Sequence, residues 1–106
     1  TAYLGKCMSL VKYTGSRGKS GASEAPAELV AELRKIFDEA NAKYQSCELG
    51  RVDKGGGGTI ALTLANRGMD VVDLGVPVMG MHSPYEITSK FDVYQAYKGY
   101  KAFFNN

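Results

Sequence analysis

Gly68–Tyr85, GMDVVDLGVPVMGMHSPY, is the stretch on which the reading of this chain turns. Val71, Val72, Leu74, Val76 and Val78 mark a buried strand, interrupted by Gly75 and Pro77 and broken in polarity by Asp70 and Asp73. The run then empties into Gly-Met-His-Ser-Pro, which delivers His82, the only histidine of the chain, at a strand end. Ligands of α/β proteins collect at the carboxyl ends of strands. A single histidine nevertheless serves packing as readily as chemistry.

Working outward, 106 residues make one domain or part of one. At that length a fold buries roughly two thirds of its unfolded surface, enough for one modest core. The chain is 44% hydrophobic and 23% charged, with a net charge of +2. So small a charge gives no case for a nucleic-acid partner. No segment approaches the ~18 apolar residues of a membrane span, and no signal-peptide pattern opens the chain. Cys7 and Cys47 stand far apart with no CxxC spacing, so both read as free, buried thiols of a reducing, cytoplasmic setting. The chain begins at Thr1 without an initiator Met, as a processed piece would.

In chain order, Lys6–Tyr13 (KCMSLVKY) reads as a largely buried strand that stops at Thr14-Gly15. Gly15–Ser23 (GSRGKSGAS) reads as a basic loop whose small residues let backbone approach a ligand and whose Arg17 and Lys19 suit an anion; a solvated turn would look the same. Glu24–Tyr44 is the clearest helix, with Ser23 or Glu24 at its start and Pro26 in its first turn. Leu29, Leu33, Ile36, Phe37 and Ala40 give it one apolar stripe. Gln45–Gly50 reads as a short second strand. Arg51–Gly58 (RVDKGGGG) opens a helix from Thr59 to Asn66. Four consecutive glycines cost conformational entropy, and suit a place where backbone passes something closely, with a helix N-terminus behind it. The GxxxxGK[ST] phosphate loop is absent. Ser89–Phe104 closes the chain as a helix whose Val93, Tyr97, Tyr100 and Phe104 form a stripe for the core or for subunit packing, flanked by Phe91, Tyr94 and Phe103. Gly99 inside that helix implies close packing.

The order strand, helix, strand, helix, strand, helix predicts an α/β fold: a mostly parallel sheet with covering helices. Three strands make a thin sheet, and parallel sheets are normally covered on both faces. The chain therefore reads as part of a larger α/β domain, or as a protomer whose sheet something else completes.

VKYTGSRGKSGASEA at Val11–Ala25, ELGRVDKGGGGTIA at Glu48–Ala61 and VVDLGVPVMGMHSPYEITSKFDVYQAYKGYKAFF at Val71–Phe104 resemble metallopeptidase family eighteen, the aspartyl-aminopeptidase-type zinc aminopeptidases. The resemblance runs through essentially the whole chain, in motif order, and matches the carboxyl-terminal part of the catalytic domain, so that residues 1–106 form one portion of a single domain. It implies a zinc-exopeptidase α/β fold, two zinc ions or other divalent metals per full-length subunit, and two-metal hydrolysis of the N-terminal residue of a peptide. It also implies large homo-oligomers, typically dodecamers, with neither nucleic acid nor membrane as partner. By the same resemblance His82, in the MHS motif, is a metal ligand, while Lys12, Lys19, Gly57 and Gly58 hold substrate. A neutral imidazole is a good zinc ligand when its second nitrogen has an oriented acceptor. A lysine near the scissile carbonyl stabilises developing negative charge.

A dinuclear site also needs several carboxylates, a second histidine and a general-base glutamate. No HxD motif and no Glu-Glu pair occurs here. Asp53, Asp70 and Asp73 fall in no family metal motif and read as turn or capping carboxylates. The catalytic base is thus expected upstream, and the chain alone is expected to be inactive. The competing interpretation is a non-catalytic α/β binding or assembly module, its interface formed by the aromatic helix and the unfinished sheet.

Overall fold

The sheet is built around the strand Met8–Gly15 (β1). In the computed structural model, which describes residues 2–15, 22–49 and 58–106, β1 is followed by strand Ala22–Glu24 (β2) and helix Ala27–Glu39 (α1). Strand Tyr44–Leu49 (β3), helix Ala61–Ala65 (α2), strand Asp73–Gly75 (β4) and helix Lys90–Phe104 (α3) complete the order. β3 lies parallel along one edge of β1, from Met8 opposite Tyr44 to Thr14 opposite Leu49. The other edge is shared by two antiparallel strands. β4 faces Ser9 to Val11, and β2 faces Tyr13 to Gly15.

The α/β class holds, but the sheet is mixed where a mostly parallel one was expected. Chain length explains β2: the connection over residues 16–21 is far shorter than the dozen or so residues a parallel crossover needs, so the returning segment can only pair antiparallel. β2 itself takes the end of what the sequence suggested was loop and the expected first residue of the helix, Glu24. The valine-rich run also pairs for less of its length than expected, with only Asp73–Gly75 in the ladder. Pro77 has no N–H to give to a ladder. It is buried instead, and its carbonyl accepts the Thr88 hydroxyl at 2.9 Å.

β1 turns Met8 and Leu10, both fully buried, toward α1 and α3. From α1 come Val30, Leu33 and Phe37, with Leu29 and Ile36 partly buried beside them. Helix α1 begins on Pro26, which caps without a side-chain hydrogen bond, rather than on Ser23 or Glu24. It also ends five residues before the expected Tyr44, for a local reason. Asn41 adopts φ 54°, Ala42 N–H donates to Phe37 O at 2.9 Å, and Asn41 N–H donates to Asp38 O at 3.2 Å. That is the Schellman arrangement, completed by contact between the two apolar residues that flank it, here the buried Phe37 and Ala42.

Helix α3 meets this core with Asp92, Gln95, Ala96 and Gly99, not with its aromatic stripe. A Cβ on Gly99 would stand 2.6 Å from Met8 Sδ and Cε, so the glycine sets how closely α3 lies on β1. The two polar residues are tethers. Asp92, with no exposed surface, accepts from Gly5 N–H and Cys7 N–H, each at 2.7 Å, and Gln95 Oε1 accepts from Lys43 N–H at 2.8 Å. Cys7 thereby stands before β1 at φ 82°, half-buried, rather than inside a buried strand. Its thiol is pushed up by burial and then by the Asp92 carboxylate. Cys47 is buried in β3, and burial raises its thiol as well; both cysteines are free. The whole measures 35 × 35 × 17 Å, the thickness of one sheet with one helix layer.

Candidate functional site

His82 lies beyond β4 in a loop closed by one antiparallel bridge. Met79 N–H donates to Ile87 O at 2.9 Å, and Ile87 N–H returns to Met79 O at 3.0 Å. Within this ring the backbone turns sharply at two places. Gly80 has φ 72°, and a Cβ there would stand 2.7 Å from Tyr85 O and 2.8 Å from Ser83 Oγ, so only glycine fits. His82 itself has φ 67°, the left-handed region that non-glycine residues rarely occupy. Hydrogen bonds hold the turn, among them Tyr85 N–H to Ser83 Oγ at 3.2 Å. Ser83 N–H donates to Gly80 O at 2.9 Å, Ser83 Oγ donates to Tyr85 O at 2.8 Å, and His82 N–H donates to Glu86 Oε1 at 2.6 Å. His82 is exposed, as are Met79, Met81, Tyr85 and Ile87 of the same loop.

Lys12 occupies an irregularity of β1. Opposite β3 the register passes from Val11–Cys47 to Tyr13–Glu48, leaving Lys12 unpaired as the extra residue of a bulge. A bulge re-aims a side chain and bends its strand. The Lys12 carbonyl accepts Ala25 N–H at 2.9 Å, and its exposed side chain borders depressions on both sides, one with Glu24 and Arg34, the other with Ser46 and Glu48. The sequence marks Lys12 but gives no sign of the bulge.

Gly58 is exposed just ahead of Thr59, whose hydroxyl donates to Asp73 Oδ2 at 2.8 Å and accepts Ala61 N–H at 3.2 Å. Asp73, expected as a turn or capping carboxylate, instead opens β4 opposite Val11 and from there ties down the segment ahead of α2. The helix behind Gly58 is shorter than expected, spanning Ala61–Ala65. Lys19, Gly57 and Asp53 lie outside the described residues. Lys12, Gly58 and His82 thus stand on three separate elements. β4 runs antiparallel to β1, so the chain bound for His82 leaves the sheet beside Ser9, away from the Lys12 bulge. Among the described residues no three of His, Cys, Asp or Glu gather into a metal-holding group. His82 by its chemistry and exposure suits one position in a metal's ligand set, with the rest supplied from elsewhere.

A second surface feature is an open groove of about 300 Å³ between α1 and α3, floored by Val72 and Leu74 and bordered by Leu64, Met69, Tyr100 and Phe103. The Tyr100 hydroxyl donates to Leu74 O across it. Burial, and then Asp73, raises that phenol's pKa.

The fold is thus a mixed sheet under two long helices, with a surface histidine on a turn of positive φ beyond β4. The chain belongs to the family described as aminopeptidase I zinc metalloprotease (M18), whose family model matches residues 1–104. It is 55% identical over 106 residues to a probable M18 family aminopeptidase 1 of Clostridium acetobutylicum, covering all of this chain and 23% of that protein. The crystal structure of aminopeptidase I from Clostridium acetobutylicum superposes with a TM-score of 0.89 over 100% of this chain and 23% of that one. The M18 aminopeptidase structure from Thermotoga maritima gives 0.84 at 50% identity, covering 93% of this chain and 22% of its own. A dodecamer described as PhTET1-12s shares the fold at a TM-score of 0.78 and 21% identity, covering 97% of this chain and 28% of that one. The chain thus spans about a quarter of the length of the relatives it matches.

Proposed function

We propose that this chain is the carboxyl-terminal portion of the catalytic domain of a zinc aminopeptidase, and that the full-length protein removes the N-terminal residue of peptides by two-metal hydrolysis. The observation that carries the proposal is His82, held at φ 67° at the surface within the MHS motif of an M18 chain. In this reading His82 is one ligand of a site that binds two zinc ions per subunit. Bound metal supplies Lewis-acid polarisation of the scissile carbonyl and an activated water. The chain's own residues do the rest of their share by position. His82 offers a neutral imidazole nitrogen from a fixed turn. Lys12, re-aimed by its bulge, offers a cation to substrate, helped by Lys19 and by close backbone approach at Gly57 and Gly58. The general base and the remaining ligands come from outside residues 1–106, in an HxD segment and a Glu-Glu pair upstream. The reading extends to a homo-oligomer, a dodecamer by family likeness, working in the cytoplasm; no helix among the described residues is long and apolar enough to cross a membrane.

The test is His82→Ala in the full-length enzyme. Turnover of an aminoacyl anilide should fall by orders of magnitude and bound zinc by one ion per subunit, with circular dichroism unchanged. Near-normal turnover with full metal content would sink the proposal. The alternative, a non-catalytic assembly module, is favoured by the exposed aromatic face of α3. It is separated by the same protein: a module lacks peptidase activity before any mutation is made.

A further inference from the structure

We propose that Glu86 is a positioning residue for His82, fixing the backbone from which the imidazole is presented; this rests on the metal-ligand reading of His82. His82 is a non-glycine residue at φ 67°, a conformation that relaxes unless its surroundings hold it. The loop has one narrow closure, the Met79–Ile87 bridge, and Glu86 sits immediately beside it. From there its carboxylate reaches back across the ring and accepts His82 N–H at 2.6 Å, a short contact of the charge-assisted kind. The other hydrogen bonds of the ring hold Ser83 and Tyr85 and leave His82 untouched. Glu86 thus contacts the peptide plane that sets where the imidazole starts, while acting on any bound metal only through His82. Supports behind metal ligands of this type typically change affinity by about 10–100-fold when removed. Here the support is to the ligand's backbone rather than to its second ring nitrogen.

The experiment uses full-length protein and reads zinc affinity by chelator competition, independently of catalysis, for wild type, His82→Ala, Glu86→Ala and Glu86→Gln. Glutamine keeps a carbonyl acceptor at the same reach and drops the charge. The expected result is a zinc affinity at least tenfold weaker in Glu86→Ala and within about threefold of wild type in Glu86→Gln, with the same far-ultraviolet dichroism. Wild-type zinc affinity in Glu86→Ala, alongside loss in His82→Ala, would overturn the positioning role and leave the ligand reading intact. Equal loss in the alanine and glutamine variants would overturn it too, since charge and not the hydrogen bond would then be the agent. If Glu86→Ala does not fold, Glu86→Gln decides alone: a fall of tenfold or more in zinc affinity overturns the proposal. Full zinc binding by His82→Ala would overturn the ligand reading and this inference with it.

Discussion

Asp92 has no exposed surface, yet it sits in a helix turn that a hydrophobic pattern passes over. Its two oxygens each take a backbone N–H, from Gly5 and Cys7, some 85 residues earlier in the chain. A carboxylate divided between two donors in this way fastens the entry of β1 to α3. Asp92→Ala leaves both donors without that partner, which should cost about 2–4 kcal/mol of stability. Asp92→Asn, keeping one acceptor, should cost roughly half as much. Urea midpoints of the two variants check the order; an unchanged midpoint in Asp92→Ala would show that water replaces the carboxylate at no cost. Tyr100 gives a pH prediction. Burial and Asp73 raise its pKa, so the folded state resists the phenolate more than the unfolded chain does. The unfolded chain therefore loses its proton first, and stability should be whole below about pH 10 and fall as pH climbs past it. Tyr100→Phe should flatten that alkaline fall while losing about 1 kcal/mol at neutral pH with the bond to Leu74 O. Urea titrations at pH 8 and above 10 separate the two effects. None of this was legible in the residues, because Asp92 and Tyr100 act on backbone that the sequence does not place. His82 was legible as a motif member, but it was expected at a strand end, whereas β4 stops at Gly75 and His82 lies in the loop beyond it. Its φ and its bond to Glu86 were not legible.

At the scale of elements, helix α1 was readable where its apolar stripe was regular: Leu33 and Phe37 lie in the core, with Leu29 and Ile36 at its margin. Its end was not, because the helical pattern continues to Tyr44 while the Asn41 turn stops the backbone at Glu39. β4 was overread for the opposite reason. Valine content signals burial, and Val76 and Pro77 satisfy it without joining a ladder. The bulge at Lys12 lay beyond sequence reading altogether, since it exists only in the register of β1 against β3. Gly99 was the readable exception, and it supports a prediction. An added methyl meets Met8 Sδ and Cε at 2.6 Å and Phe37 Cε1 at 3.5 Å. Met8 is fully buried, so its flexible end must repack within the core to admit the methyl. Overpacking costs about 1–3 kcal/mol, against about 1 kcal/mol that alanine gains over glycine inside a helix. Gly99→Ala should therefore be neutral to destabilising by about 2 kcal/mol, and Gly99→Val more so. Thermal melting checks it. A clear stabilisation by Gly99→Ala would mean that α3 stands farther from β1 than 2.6 Å implies.

Taken whole, the chain is a slab 17 Å thick whose polar and apolar surfaces are out of balance. The aromatic stripe of α3 was expected to be core or interface, and within this chain it is not core. Phe91, Tyr94, Tyr97, Phe103 and Phe104 are all at least 45% exposed. Phe103 continues this face into the groove beside Leu64, Met69 and Tyr100, so the apolar surface is contiguous. β3 offers a second unfinished edge among the described residues, since β1 is its sole strand partner there. Apolar patches beyond a few hundred Å² mark surfaces that something covers, and open strand edges recruit further strands. The chain spans about a quarter of its relatives' length, which is in keeping with a cover supplied by the rest of a longer protein. Separated from that cover, the isolated chain should self-associate. Sedimentation under reducing conditions should show species heavier than the 11.4 kDa monomer, growing with concentration and binding an apolar dye. Replacing Tyr97 and Phe103 by serine should lower both signals, because neither residue supports the core that Met8, Leu10 and Phe37 form. A dilute, dye-silent monomer would show that α3 closes over its own aromatics in solution, and the case for a surface awaiting a partner would fail with it.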